Sequence, residues 1–190
     1  MTIKPLTKAE GEILLKIARE ALETSVRGEP LPEITLAVFP QTLQDDGASF
    51  VTLTINGRLR GCIGTLDPYQ PLAKDVQEHA VAAALQDFRF PNVQPAELSK
   101  IRIEVSALTP RSPLLYETPQ DLVDQIRPGI DGLILQDGLR KATFLPQVWE
   151  KLPEQELFLS HLCMKMGAPG DLWRKKPLDV FVYQVQEFHE

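Results

Sequence analysis

The stretch that decides the fold is Phe50-Val51-Thr52-Leu53-Thr54-Ile55-Asn56-Gly57-Arg58-Leu59-Arg60-Gly61-Cys62-Ile63-Gly64-Thr65. Residues 50–55 alternate β-forming side chains, and Asn56-Gly57 supplies the two positive-φ positions of a type I′ turn. Residues 58–65 then return as the partner strand. We therefore predict an antiparallel β-hairpin, which is the clearest local structure in the chain.

The two-residue turn also predicts which side chains of the hairpin share a face. It places Leu53 opposite Arg60 and Val51 opposite Cys62, and directly opposed residues project to the same side of a sheet. Arg60 and Cys62 are then about 6.6 Å apart along the strand. At that separation we expect the Arg60 guanidinium to favour the reactive thiolate form of Cys62.

Residue chemistry alone leaves two interpretations of Cys62 open. Gly61 and Gly64 weaken a strand interior, which is typical of a bulge or of a close approach by another backbone or a ligand. A bulge would change the pairing given above. Free cysteines are also commonly buried as small apolar residues, in which case the two glycines only permit tight packing of the sheet.

The sequence on either side of the hairpin mixes helices and strands without the regular alternation of βαβ units. Before it, Thr7-Lys8-Ala9-Glu10 is a capping box that begins a helix to about Ser25, and residues 28–40 form a proline-rich extended connection. After it we predict a helix from Asp67-Pro68 to about Gln86, a strand over 101–107, a short helix over 121–126, a second hairpin over 133–144, a short helix from Pro146, a helix over 154–166 and a strand over 180–185. This mixture favours an α+β fold.

Charge and composition restrict the classes of function. The net charge of −6, from 26 acidic and 20 basic side chains, offers no general attraction to nucleic acids or anionic membranes. Nucleic-acid binding is therefore the least favoured function. The longest apolar run, residues 80–85, is too short to cross a bilayer, and residues 1–7 lack the pattern of a secretory signal. We expect a cytoplasmic protein.

The spacing of cysteines, histidines and glycines indicates no metal or nucleotide site. Cys62 and Cys163 belong to no Cys-x-x-Cys pair, and the three histidines, His79, His161 and His189, are scattered. The glycine-rich fingerprints of phosphate-binding and dinucleotide-binding loops do not occur. We predict two free thiols, no structural metal and no cofactor.

Several longer motifs stand in an order that is similar to one known family. They are the segment 59–65, Asp87 with Arg89-Phe90-Pro91, Ile103-Glu104-Val105-Ser106, Arg127-Pro128-Gly129 with Asp131-Gly132, the segment 142–149, and Leu162-Cys163 with Lys165. On these residues the sequence resembles the AMMECR domain family, whose bacterial and archaeal members are called AmmeMemoRadiSam system protein A. Phe88 and His79 depart from the family pattern.

The resemblance implies a fold and a set of associations, but no settled reaction. The expected fold is α+β, with antiparallel or mixed sheets packed with helices, as a single domain over residues 1–190 made of two intertwined lobes. A cleft is expected near the Arg-Gly-Cys-Ile-Gly segment. The expected partners are a radical S-adenosylmethionine protein, a Memo-like protein and an unknown small molecule. Enzyme, ligand-binding protein and non-catalytic adaptor or carrier all remain open.

Cys62 and Arg60 are the candidate catalytic residues, and seven others are candidates for binding. These seven are Gly61, Gly64, Thr65, Arg89, Asp131, Thr143 and His161. Two more side chains are expected in the interior instead. His79 falls on a buried helical stripe and should have a hydrogen-bond partner. Cys163 falls on an apolar stripe with Leu159, Leu162 and Met166, which favours core packing.

Several of the binding candidates also have a structural explanation. His161 can act as a base for Cys62, although a surface histidine near a helix end is commoner. Asp131 and Thr143, at opposite ends of the second hairpin, can contact a ligand or satisfy turn backbone. Arg89 follows a helix, where it either offsets the helix dipole or reaches the carboxylate or phosphate of a partner.

Overall fold

A computed structural model of the protein describes residues 5–190, which form two compact units. Residues 5–110 and 186–190 form the first unit, and Arg111–Val185 form the second. Both units contain helices and antiparallel strands, so the predicted α+β class is confirmed. The more detailed expectation of one domain with intertwined lobes and a cleft stays a prediction. No helix within residues 5–190 is long and apolar enough to span a membrane.

The helices and strands follow one another along the chain in a mixed order. The elements before residue 110 are α1 (Lys8–Val26), a 3₁₀ turn (Leu36–Val38), α2 (Gln41–Gln44), β1 (Asp46–Ile55), β2 (Arg58–Gly64), β3 (Gln70–Pro71), α3 (Leu72–Leu85), a 3₁₀ helix (Pro95–Lys100) and β4 (Ile101–Leu108). The later ones are β5 (Ser112–Pro113), α4 (Pro119–Gln125), β6 (Gly132–Asp137), β7 (Arg140–Phe144), a 3₁₀ helix (Pro146–Glu150), α5 (Gln155–Lys165), α6 (Leu172–Lys175), β8 (Asp179–Tyr183) and β9 (Val185–His189).

The predicted hairpin forms one edge of the sheet of the first unit. The strand order is β2-β1-β4-β9, and β3 also pairs with β1. Ile55 lies opposite Arg58, and the positive φ angles of Asn56 (50°) and Gly57 (74°) confirm the tight turn between them. The predicted capping box at the start of α1 is also present. These features were predictable because each depends on residues that are close in sequence.

The two faces of this sheet carry different side chains, apolar ones on one face and several polar ones on the other. Val51 and Leu53 of β1 are fully buried in a core that also contains the apolar stripes of α1 and α3. The alternate residues of the same strands project to the opposite side. We call that side the polar face, and it includes Thr52, Cys62, Glu104 and Ser106.

The return strand β2 contains a β-bulge at Arg60. Thr54 pairs with Leu59, but Leu53 pairs with Gly61, so Arg60 is an extra residue with no partner opposite it on β1. A bulge adds one residue to one strand, so every later residue of that strand changes the face to which it points. The predicted pairing of Leu53 with Arg60 is therefore wrong.

The same bulge changes the position of Cys62. Cys62 lies opposite Thr52 rather than Val51, which places its side chain on the polar face instead of in the core. The prediction that Arg60 and Cys62 share a face depended on uninterrupted pairing, which the bulge at Arg60 removes.

Close approach of α3 explains why a glycine follows the bulge. A Cβ atom on Gly61 would lie 2.1 Å from the carbonyl oxygen of Ala83 in α3, which is far inside van der Waals contact. A Cβ atom on Gly64 would similarly lie 2.3 Å from the carbonyl oxygen of Ser49. The sequence pattern indicated either a bulge or a close approach of backbone, and the structure contains both.

A buried polar cluster links α3 to β1. Ser49 Oγ donates to Asp75 Oδ2 at 2.6 Å, and His79 Nδ1 lies 3.1 Å from the same oxygen. All three residues are buried. His79 is therefore the interior histidine with a partner that the sequence predicted.

The second unit contains a four-stranded sheet in the order β5-β8-β6-β7. Its predicted hairpin is present, with Gly138 in the turn at a φ of 61°. Trp149 stacks on Phe158 at 3.7 Å between ring centroids, in the same core as Cys163. Cys163 is fully buried, as predicted, and burial raises the pKa of its thiol.

The Gly61→Ala variant tests the packing of the hairpin on α3. Because the added methyl group meets backbone rather than a flexible side chain, we expect a loss of about 2 kcal/mol in the free energy of unfolding. Urea denaturation followed by circular dichroism measures this loss. Gly170→Ala is the control, since its Cβ would have no neighbour nearer than 3.4 Å. Equal stability of the two variants would contradict the close approach.

Candidate functional site

The candidate site is built around the Cys62 side chain on the polar face of the first sheet. The Cys62 thiol is half-buried, and the Thr52 hydroxyl donates a hydrogen bond to Cys62 Sγ at 3.3 Å. Glu104 of β4 lies on the other side of Thr52, directly opposite it. A thiol, a hydroxyl and a carboxylate therefore lie in one row across three neighbouring strands.

The backbone of Cys62 is held by two side chains that follow α3. Because β2 is an edge strand, its outward-pointing N–H and C=O groups have no neighbouring strand to bind. Cys62 N donates to Asp87 Oδ2 at 2.9 Å, and Arg89 Nη2 donates to the Cys62 carbonyl oxygen at 3.0 Å. We call Asp87 and Arg89 together the clamp, because they occupy both positions that a further strand would take.

The two clamp residues also form a bidentate ion pair with each other. Arg89 Nε donates to Asp87 Oδ1 at 2.8 Å, and Arg89 Nη2 donates to Oδ2 at 2.6 Å. These bonds, with the one from Cys62 N, hold the pKa of the buried Asp87 carboxyl well below its usual range even though burial alone would raise it. Asp87 is therefore a fixed negative charge at neutral pH.

Arg89 is the cation next to Cys62. Its guanidinium pKa is raised chiefly by the hydrogen bond to Asp87, and attraction to Cys62 adds to this effect. Arg89 thus contacts the carbonyl group of Cys62 directly. The sequence suggested a helix-dipole role or a partner contact for Arg89, and neither describes these internal bonds to Asp87 and Cys62.

Arg60, the predicted cation, binds elsewhere. Its Nε and Nη2 donate to the two carboxylate oxygens of Glu97 at 2.8 and 3.0 Å, and its Nη1 donates to the Pro91 carbonyl at 2.8 Å. Arg60 lowers the pKa of Glu97. The bulge directs Arg60 toward the 3₁₀ helix that contains Glu97, so it anchors the strand to that helix.

Two further candidates in this segment have backbone roles. Gly64 allows β1 to approach, as described above. The Thr65 hydroxyl accepts a hydrogen bond from Asp67 N at 3.2 Å, and Thr65 N donates to the Ser49 carbonyl at 3.0 Å. These contacts form the end of the hairpin strand and the turn that follows it.

Asp131 and Thr143 lie in the second unit, and both are bonded internally. Asp131 accepts two hydrogen bonds from the Arg127 guanidinium, at 3.0 and 2.7 Å. The Thr143 hydroxyl donates to the Leu133 carbonyl at 2.8 Å and lies 2.9 Å from the Tyr183 hydroxyl. Both residues lie at the open end of the β6–β7 hairpin, not at opposite ends, because the two strands run antiparallel. These internal contacts agree with a structural role for Asp131 and Thr143 rather than with contact to a ligand.

His161 lies on α5 of the second unit, whereas Cys62 lies in the first. Its side chain is exposed, which is the commoner situation for a histidine near a helix end. The suggested pair of His161 and Cys62 stays a prediction.

Three residues of the site were not predicted from the sequence. Thr52 was missed because the predicted pairing contained no bulge, and Glu97 because its ion pair with Arg60 is distant in sequence. Asp87 was recognised in a motif but given no role. The spacing of Asp87 and Arg89, with one residue between them, was the signal that two opposite charges can both reach an edge strand.

These features define a class of α+β protein in which a glycine-flanked cysteine on an edge hairpin is held by an acidic and a basic side chain. The chain belongs to the AMMECR1 family, whose family model matches residues 15–188.

Relatives of known sequence and structure agree with this membership. A protein of Methanothermobacter thermautotrophicus is 43% identical over all of this chain and 99% of its own length. A protein of Methanocaldococcus jannaschii is 34% identical over 97% of this chain and 92% of its own length. The crystal structure of an uncharacterized protein from Pyrococcus horikoshii superimposes with a TM-score of 0.84 at 32% identity, over 97% of this chain and 93% of that one.

The Asp87→Asn variant tests the clamp through the pH dependence of stability. An ordinary aspartate titrates near pH 4, so an ionised Asp87 stabilises the fold fully above that pH and progressively less as the pH falls below it. We expect the variant to lose about 2 kcal/mol of unfolding free energy at pH 7 and to approach the wild type near pH 3.

Urea denaturation at the two pH values measures this difference. The exposed Asp46 provides the control, because Asp46→Asn should change stability little at either pH. A loss in Asp87→Asn that is as large at pH 3 as at pH 7 would contradict the role of the Asp87 charge.

Proposed function

We propose that the polar face around Cys62 is a ligand-binding or catalytic site in which Cys62 is a nucleophile, substrate anchor or acceptor. The observation that carries this proposal is the contrast between the two thiols. Cys62 is half-buried beside a hydroxyl and a guanidinium, whereas Cys163 is enclosed in an apolar core. A reactive cysteine needs partial exposure and a nearby positive charge, and Cys62 has both.

The rigidity of the Cys62 backbone supports the same proposal. Both of its backbone polar groups are bonded to the clamp, and its side chain is bonded to Thr52. Groups that bind or react with ligands work best when neighbouring contacts fix their position before the ligand arrives. The clamp and Thr52 provide such contacts.

The proposed chemistry needs only residues of this chain and a ligand. The thiolate form of cysteine is the nucleophile, and a nearby arginine stabilises negative charge on sulfur or on an attacked group. We propose that this activity accompanies that of a radical S-adenosylmethionine protein and a Memo-like protein in the cytoplasm.

A non-catalytic adaptor or carrier for those two partners is the second candidate. One observation favours it, namely that the glycine contact with α3, the Arg60–Glu97 ion pair and the clamp all serve the architecture of the hairpin. If the segment is purely architectural, the Cys62 thiol itself has no chemical role.

Alkylation under native conditions tests whether Cys62 is available. We expect iodoacetamide at pH 7 to modify Cys62, while the enclosed Cys163 reacts only after unfolding. Mass spectrometry of tryptic peptides measures each rate separately. Cys163 is the internal control, and an unreactive Cys62 would contradict the proposed site.

Cys62→Ser distinguishes the two candidate functions in cells. If Cys62 carries chemistry, a strain with Cys62→Ser should have the metabolite profile of a deletion strain while the variant protein remains folded. Cys163→Ala controls for the loss of a thiol that has no site around it. An adaptor predicts a wild-type profile for Cys62→Ser and recovery of both partners by the variant in a pull-down.

A further inference from the structure

We infer that the ligand of the Cys62 site carries an oxyanion, a carboxylate or a phosphate, which Arg89 binds beside the thiol. This inference rests on the proposed function, because it names the class of molecule that the same site accepts.

The free Nη1 nitrogen of the Arg89 guanidinium carries the inference. Its Nε and Nη2 are bound to Asp87 and to the Cys62 carbonyl, whereas its Nη1 donates to no residue in the described part of the chain. The Arg89 side chain is 45% exposed. Nη1 therefore keeps its N–H groups for solvent or a ligand, while Nε and Nη2 are fixed by their partners.

A free guanidinium nitrogen of this kind favours oxyanions over other ligands. The guanidinium is always positively charged and presents hydrogen-bond donors and no acceptor, so Nη1 is suited to an oxygen of a carboxylate or phosphate group. Since Asp87 and the Cys62 carbonyl already hold the Arg89 side chain, little conformational freedom remains to be lost when an anion binds.

The other charges of the polar face do not compete for this position. Glu104 is the acidic residue in the same row, but it lies two strands from Cys62, at about 9.6 Å by strand spacing. Its oxygens are already engaged by Ser106 Oγ at 3.3 Å and by His189 Nδ1 at 3.5 Å. Asp87 is buried behind Arg89, so the outward end of the ion pair is positive.

Two alkylating reagents of nearly equal size test this inference. Iodoacetate and iodoacetamide react by the same step, in which Cys62 sulfur bonds to the CH₂ carbon, iodide leaves with the electron pair of the C–I bond, and the thiol proton passes to solvent. Iodoacetate carries a carboxylate and iodoacetamide does not. The ratio of their rates, divided by the same ratio for N-acetylcysteine amide, isolates the effect of the site on an anion.

We expect the normalised ratio for Cys62 to exceed one and to fall about threefold in Arg89→Gln, because the variant removes a positive charge beside the reacting atom. Any loosening of the strand in that variant changes both rates together and leaves the ratio unaffected. Arg102→Gln is the matched control, since Arg102 is an exposed arginine of β4 in the same sheet and lies outside the clamp. Its ratio should equal that of the wild type.

Protection by simple anions identifies the oxyanion. Inorganic phosphate and acetate are each added to the iodoacetamide reaction, with chloride at the same ionic strength as the reference. Slower alkylation with phosphate alone indicates a phosphate ligand, and slower alkylation with acetate alone or with both indicates a carboxylate or a general oxyanion site. Neither effect should appear in Arg89→Gln.

Failure of the proposed function and failure of the oxyanion inference give different results in these experiments. A Cys62 that reacts with neither reagent overturns the proposed function and this inference with it. A reactive Cys62 whose normalised ratio is one, is unchanged by Arg89→Gln and is protected by neither anion overturns this inference alone.

Discussion

Strand β2 lies at the edge of a sheet, and its outward-facing backbone groups must be satisfied without a neighbouring strand. The clamp of Asp87 and Arg89 meets this requirement at Cys62, donating to one group and accepting from the other. The path of the chain after α3 and the position of Cys62 both depend on this clamp. The chain after α3 has to turn back along the edge for the two side chains to reach β2, and the position of the thiol is fixed as a result.

The same arrangement places the contacts that close the sheet edge and the candidate reactive group at a single peptide unit. The ion pair that closes the sheet edge also leaves a half-exposed guanidinium next to a half-buried thiol. Structural and functional explanations of the Arg-Gly-Cys-Ile-Gly segment are therefore not exclusive. Gly61 is required by α3 and Arg60 by Glu97, whereas the Cys62 side chain is required by neither contact.

The parts of the structure that were predictable from sequence depend on neighbours along the chain. The Asn56-Gly57 turn, the capping box of α1 and the apolar stripe around Cys163 are each encoded within a few residues. The glycines indicated that a bulge was possible, but its position at Arg60 was not predictable in the same way, because the contacts of this segment with Ala83 of α3 and with Glu97 are distant in sequence. This one extra residue in β2 places Cys62 on the face opposite to the predicted one, and Arg89 rather than Arg60 is the arginine bonded to Cys62. Strand β9 was missed because the predicted strand over 180–185 ended at Val185, the residue at which β9 begins.

The return of the chain to the first unit at residues 186–190 has a kinetic consequence. Strand β9 joins a sheet whose other strands all precede residue 110, and Arg19 of α1 forms an ion pair with Glu190 across 171 positions of sequence. Contacts of such long range form late, because the entropy of closing a large loop must be overcome before they stabilise anything. On a ribosome the first sheet therefore remains one strand short until the whole second unit has been synthesised.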